Sequence, residues 1–142
     1  MRPTRHLALS LVAALAATPL SVSAEAGDPA LRYLEQGTYQ GVPYLSGGIG
    51  LVERRYITSV LEPSYNLKME FAEPNGDYLA DIRVRIVDEG DEAVLKVDSA
   101  GPWLLTRLAP GRYTIEAVAD GRSATRTVTV GQGSPRVVFK DW

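Results

Sequence analysis

The stretch "LAPGRYTIEAVADGRSATRTVTV", Leu108 to Val130, reads as two strands joined by a tight reversal. Pro110 presets the first dihedral of a turn and Gly111 accepts a positive φ, so a strand opens at Arg112. Tyr113, Ile115, Ala117 and Ala119 then share one face, at the period of two that a half-buried strand requires. Asp120-Gly121 is the strongest hairpin signal in the chain and returns it through Arg122 to Val130.

Working outward, the same period recurs. Leu67, Met69 and Phe71 align on one face before the "EPNGD" turn, Glu73 to Asp77. Tyr78 to Val87 alternates Ala80, Ile82, Val84 and Ile86 against Arg83 and Arg85. Ala93 to Ser99 follows the acidic turn "DEGDE", Trp103 to Leu108 follows Gly101-Pro102, and Arg136 to Lys140 comes last. Seven short strands at spacings of about 10 residues indicate an all-β fold, a seven-stranded antiparallel β-sandwich over residues 66–142. One short N-terminal α-helix precedes it. In residues 46–65 the glycine-rich turn "SGGIG" leads into Val52, Tyr56 and Val60, with Ile57 and Leu61 beside them and Glu53, Arg54, Arg55 and Ser59 elsewhere on the wheel. Pro63 stops that helix. Residues 25–45, with Tyr33, Tyr39 and Tyr44 and no sustained period, read as an arm that is flexible or extended over the domain.

The first 24 residues read as a signal peptide: Arg2 and Arg5 precede an apolar stretch ending in Ser21-Val22-Ser23-Ala24. Cleavage near Ala24 implies a periplasmic or secreted protein, and no later segment has the apolar length of a transmembrane helix. Removing Arg2 and Arg5 from the 15 basic residues leaves 13 against 17 acidic ones, a net charge of −4 that argues against nucleic acid. Cysteine is absent, and the single histidine, His6, lies in the signal. Ser-His and Cys-His nucleophiles, imidazole bases and the usual zinc sites are thereby excluded from the processed chain.

The pattern of Leu108, Pro110, Gly111 and Tyr113, set among seven strands, resembles the carboxypeptidase regulatory-like domains of the transthyretin-like (prealbumin-like) group, sandwiches of an Ig-like kind. "GVPYLSGGIG", Gly41 to Gly50, followed by a helix and "YNLKMEFA", Tyr65 to Ala72, is similar to small exported bacterial proteins that carry this domain alone. The resemblance implies that the Tyr113 ring fills an end of the core while its hydroxyl reaches a partner. It implies an accessory rather than a catalytic module: the related hydroxyisourate hydrolases use histidines and a C-terminal Tyr-Arg-Gly-Ser motif, whereas this chain ends "VVFKDW".

Candidate sites each have a functional and a structural reading. The amides of "SGGIG" suit an anion at a helix start or a tight packed turn, with Ser46 making a local turn hydrogen bond. Asp88, Glu89, Asp91 and Glu92 suit Ca²⁺ or a solvated hairpin tip, and match no calcium loop. Glu70, Asp81 and Asp98 are the conceivable carboxylate pairs for glycoside hydrolysis. Trp103, Trp142 and Tyr44 are a candidate binding surface, or Trp103 is a core plug and Trp142 a loose end or a lid over the sandwich; Arg83 and Arg85 offer a basic patch or a solvated sheet face. Sheet edges add strand pairing. The expectation is a non-enzymatic binding module without cofactor or metal, meeting an envelope protein through a sheet edge or the helix-bearing end. The alternative is a carbohydrate-binding module stacking on envelope polysaccharide.

Overall fold

Alternation, turn chemistry and one amphipathic stripe produce two sheets and one helix in the computed structural model, which describes residues 29–142. The signal-peptide reading and the first residues of the arm lie outside the described residues. After a 3-10 turn at Pro29–Leu31 come β1 (Glu35–Tyr39), β2 (Val42–Gly47), α1 (Leu51–Ser64), β3 (Leu67–Phe71), β4 (Ile82–Val87) and β5 (Ala93–Ala100). β6 (Trp103–Thr106), β7 (Gly111–Ala119), β8 (Arg122–Val130) and β9 (Arg136–Phe139) complete the chain. One sheet has the order β1-β2-β6-β3-β9 and the other β5-β4-β7-β8.

The sandwich therefore has nine strands rather than seven. The two additional strands come from residues expected to be an arm: β1 and β2 form a hairpin through Gln40 and Gly41, whose φ values of 47° and 82° are those of a two-residue turn. β1 is a half-exposed edge strand and leaves little periodic signal. Across it, Tyr44 lies over Gly37, where an added Cβ would stand 2.5 Å from the ring. The pairing also departs from a wholly antiparallel pattern, because β9 runs parallel to β3. Of the run Tyr78 to Val87, only Ile82–Val87 is a strand; Asp81 at φ 56° breaks it, and Ala80 is exposed rather than on the core side.

The principal core lies between the sheets. Leu67, Met69, Phe71, Ile82, Ile86, Leu95, Leu104, Ile115 and Phe139 are fully buried there, each contributing about 1.5–3 kcal/mol by leaving water. Tyr113 closes one end, its ring buried and its hydroxyl donating to the Ala109 carbonyl at 2.6 Å. At another margin Trp142 packs on Phe71 and Phe139, with ring centroids 6.4 and 6.0 Å away, and its indole N–H donates to the Ala72 carbonyl at 2.8 Å.

A second, smaller core forms on the outer face of the five-stranded sheet. Ile57 of α1 packs there with Leu45, Tyr65, Trp103 and Leu105. The regular turns of α1 end at Leu61, since Glu62 has φ −108° and ψ 138°, and the Tyr65 N–H returns to the Leu61 carbonyl. The stripe differs from the expected one at two positions. Val52 is exposed, and Glu53 is 2% exposed and faces inward. The result is three layers, helix on sheet on sheet, with α1 crossing the outer face of the five-stranded sheet from the end of β2 to the start of β3.

Candidate functional site

Glu53 decides what the glycine-rich turn does. Its Oε2 accepts the backbone N–H of Gly48 at 2.9 Å and of Ile49 at 3.0 Å, so a carboxylate of the chain itself occupies the position that a bound anion would take. Gly48 has φ 93°, and an added Cβ would lie 2.9 Å from Trp103 Cγ; this glycine serves both the backbone turn and close packing. Ser46, expected to bond locally, instead accepts the N–H of Gly101, 55 residues away, at 2.7 Å. That contact ties β2 to the loop before β6.

With its amides satisfied, the turn pushes apolar side chains outward. Ile49, Leu51, Val52 and Tyr78 are between 44% and 64% exposed. Beside them a groove of about 380 Å³ runs along the stripe of α1 formed by Leu51, Arg54, Arg55 and Thr58, with Tyr78 and Trp103 opposite. Residues three and four apart share one side of a helix, which is why these four line a single wall. Arg54 is fixed: Nη1 donates to the carbonyls of Gly48 and Ile49 at 2.9 and 3.0 Å, and its guanidinium carbon lies 5.3 Å from the Tyr78 ring centroid. The groove wall contains no acidic residue.

The candidate surface of Trp103, Trp142, Tyr44, Arg83 and Arg85 is distributed over three places. Trp103, 9% exposed, faces the helix layer, and the Lys68 ammonium sits 3.1 Å from its ring centroid, where a stacking sugar would lie. Tyr44 and Trp142 pack against the core between the sheets, and the Tyr44 hydroxyl donates to Glu35. Arg83 and Arg85 lie on the outer face of the four-stranded sheet, where Arg85 pairs with Glu116 at 3.1 Å in cross-strand register. Trp142 is thus the lid of the alternatives weighed, and Trp103 is largely plug.

The carboxylate candidates are also separated. Glu70 is on the five-stranded sheet, whereas Asp98 is on β5 and Asp81, which accepts the Ser99 hydroxyl at 2.7 Å, directly precedes β4. Burial raises the Glu70 pKa, but hydrogen bonds from Arg136 and Lys68 together outweigh it, and the carboxyl sits below the usual glutamate range. A general acid requires the opposite shift. In the acidic turn, Asp88 Oδ1 accepts the N–H groups of Gly90 and Glu92 at 2.9 and 3.0 Å, closing its own loop. No group of three metal-ligating side chains occurs among the described residues, and none of their helices is long and apolar enough to cross a membrane.

Sequence reading missed Leu51, Arg54, Tyr78 and the inward Glu53 as parts of one end. One signal was available: Ile49, Leu51 and Val52 place three apolar residues within four positions at a helix start, and they cannot all face the same side. Tyr78 carried none, because only tertiary folding brings its turn to the helix. No protein-family model and no curated protein matches the chain.

Proposed function

We propose that the chain is an exported, non-enzymatic binding module of the carboxypeptidase regulatory-like, transthyretin-like kind, acting in the cell envelope by contact with another protein. Export rests on Arg2, Arg5 and the apolar stretch ending at Ala24. The family reading rests on the turn from Leu108 to Tyr113, whose hydroxyl holds the Ala109 carbonyl.

One observation carries the choice of surface: the exposed apolar side chains Leu51 and Tyr78 line one groove at the start of α1, with exposed Ile49 and Val52 close by in the chain. Exposed apolar side chains lining a shared groove are a mark of interaction sites. The long edge strand β8 is a poorer docking strand, because Arg126 points inward between Ala124 and Val128 and guards it. A stacking platform on polysaccharide is disfavoured by Lys68 over Trp103 and by the tethered Trp142.

The test is a backbone-amide NMR titration of the processed protein with separated envelope protein and glycan fractions. Protein contact predicts shifts confined to residues 48–58 and Tyr78 with the protein fraction. Shifts around Trp103 or Trp142 with glycan alone would replace this reading by carbohydrate binding, and no shift with either fraction would remove it.

A further inference from the structure

We infer that the groove along α1 receives an acidic, apolar peptide segment of a partner protein, an inference that rests on the protein-contact reading above. Its volume of about 380 Å³ is at the small end of the ~300–1,000 Å³ of clefts that hold discrete ligands, which suits a short run of side chains rather than a folded domain. Leu51, Tyr78 and the edge of Trp103 supply the apolar walls.

Charge selects the occupant. Arg54 is held in place through Nη1 by two carbonyls and by the Tyr78 ring, leaving Nη2 and Nε without an acceptor among the described residues. Arg55, next to it, has no carboxylate partner there either, a state shared elsewhere by Arg83, Arg107 and Arg112; what sets Arg54 and Arg55 apart is that they stand side by side on one groove wall. Two guanidinium groups on an acid-free wall complement carboxylates, and the fixed one loses little freedom on binding.

The groove also has a built-in reporter. Among the described residues, the one buried side-chain polar atom without a hydrogen-bond partner is Nε1 of Trp103, a residue of the groove wall. That N–H lies beneath the surface, so it senses the groove through the Trp103 ring rather than by touching an occupant. The groove is shallow and open, and Tyr78 stands across it from α1, which favours a short chain lying between the two over a lipid surface lying flat on the helix.

The experiment uses the processed protein, labelled with ¹⁵N, and two acetylated, amidated octapeptides. Both contain a leucine-phenylalanine pair; one flanks it with two aspartates and the other with two asparagines. The chain has two tryptophans, so the Trp103 indole N–H is read against that of Trp142, whose N–H is already bonded. The expected result is binding of the aspartate peptide with shifts in Arg54, Arg55, Tyr78 and the Trp103 indole, while the Trp142 indole stays still. Arg55→Gln, an exposed change that leaves the fold intact, weakens binding about fivefold, and 0.3 M salt does likewise.

Equal binding of the asparagine peptide would overturn the acidic selection and leave the docking surface standing. Envelope protein shifting the groove while neither peptide does would have the same consequence. Anionic phosphatidylglycerol vesicles moving these amides where the peptides do not would replace the peptide by a membrane. Silence of the groove toward all of these probes would remove the docking surface itself.

Discussion

Replacing Glu53 by alanine strips the acceptor from the Gly48 and Ile49 N–H groups in a site with almost no solvent. A loss of about 1.5–3 kcal/mol in urea unfolding is expected, the range for hydrogen bonds to a charged group, with Glu53→Gln intermediate because it keeps one oxygen. A neutral Glu53→Ala would mean that the loop amides find other partners. Tyr113→Phe removes only the bond to the Ala109 carbonyl and keeps the ring, so about 1 kcal/mol is expected by the same measurement. Glu70 adds a pH dependence. Its carboxyl is lowered in the folded protein, so its contribution is full above the ordinary glutamate value of 4.5 and is lost as pH falls below it. Glu70→Gln leaves Lys68 largely buried without a counter-charge, which costs about 3 kcal/mol at pH 7. The gap between the two proteins should hold above pH 4.5 and narrow as pH falls below it toward the lowered folded pKa of Glu70; a gap that does not narrow in acid before both proteins unfold would refute the ion-pair account. Tyr113 was legible in sequence because it heads an alternating run two residues after Pro110-Gly111, although Gly111 takes no positive φ and is already the first residue of β7. Glu53 was not: a helical wheel sorts residues by polarity, whereas here two backbone donors drew a carboxylate inside.

At the level of elements, legibility followed turn chemistry. Asp120-Gly121 has φ values of 49° and 76°, and the β7–β8 ladder pairs Ala119 with Arg122 as a two-residue hairpin must. The β1–β2 hairpin turns through Gln-Gly, a weaker signal, and its edge strand is half exposed, so its period was hidden. Edges also need protection. β8 is nine residues long, contains no proline, and faces Ala124, Val128 and Val130 inward, with Arg126 interrupting that row to lie over the Phe139 ring at 5.4 Å and near Asp141. The ion pair to exposed Asp141 contributes little to stability. The charge matters instead as a barrier to pairing with another chain. Arg126→Val should leave the monomer folded, with the same far-ultraviolet circular dichroism, and raise self-association seen as a dimer or larger species by light scattering at high concentration. An Arg126→Val protein that stays monomeric at millimolar concentration would show that β8 is protected by its twist or its neighbours.

Over the whole molecule, alternation revealed a sandwich but not its layering. Which strand lies beside which depends on long-range pairing, as in β9 returning parallel to β3 and β6 inserting between β2 and β3, and no local residue pattern specifies such neighbours. The layering has an energetic consequence. The core between the sheets has nineteen buried residues, whereas the core beneath α1 has five, and one of these, Trp103, retains an unpartnered N–H. Regions with few buried apolar contacts open at lower free energy than the global transition. Native-state hydrogen exchange should therefore separate two classes: amides of Tyr56 to Leu61 in α1 exchanging through a sub-global opening, and those of Ile86 and Ile115 in β4 and β7 only on complete unfolding. In rising urea the second class keeps the slope of global unfolding while the first stays flatter until the two merge. Uniform free energies across α1, β4 and β7 would mean that helix and sandwich unfold as one unit. A separate, weaker helix layer would instead place the groove of Leu51, Arg54 and Arg55 on the part of the molecule that adapts most easily to a partner, with the sandwich as its rigid support.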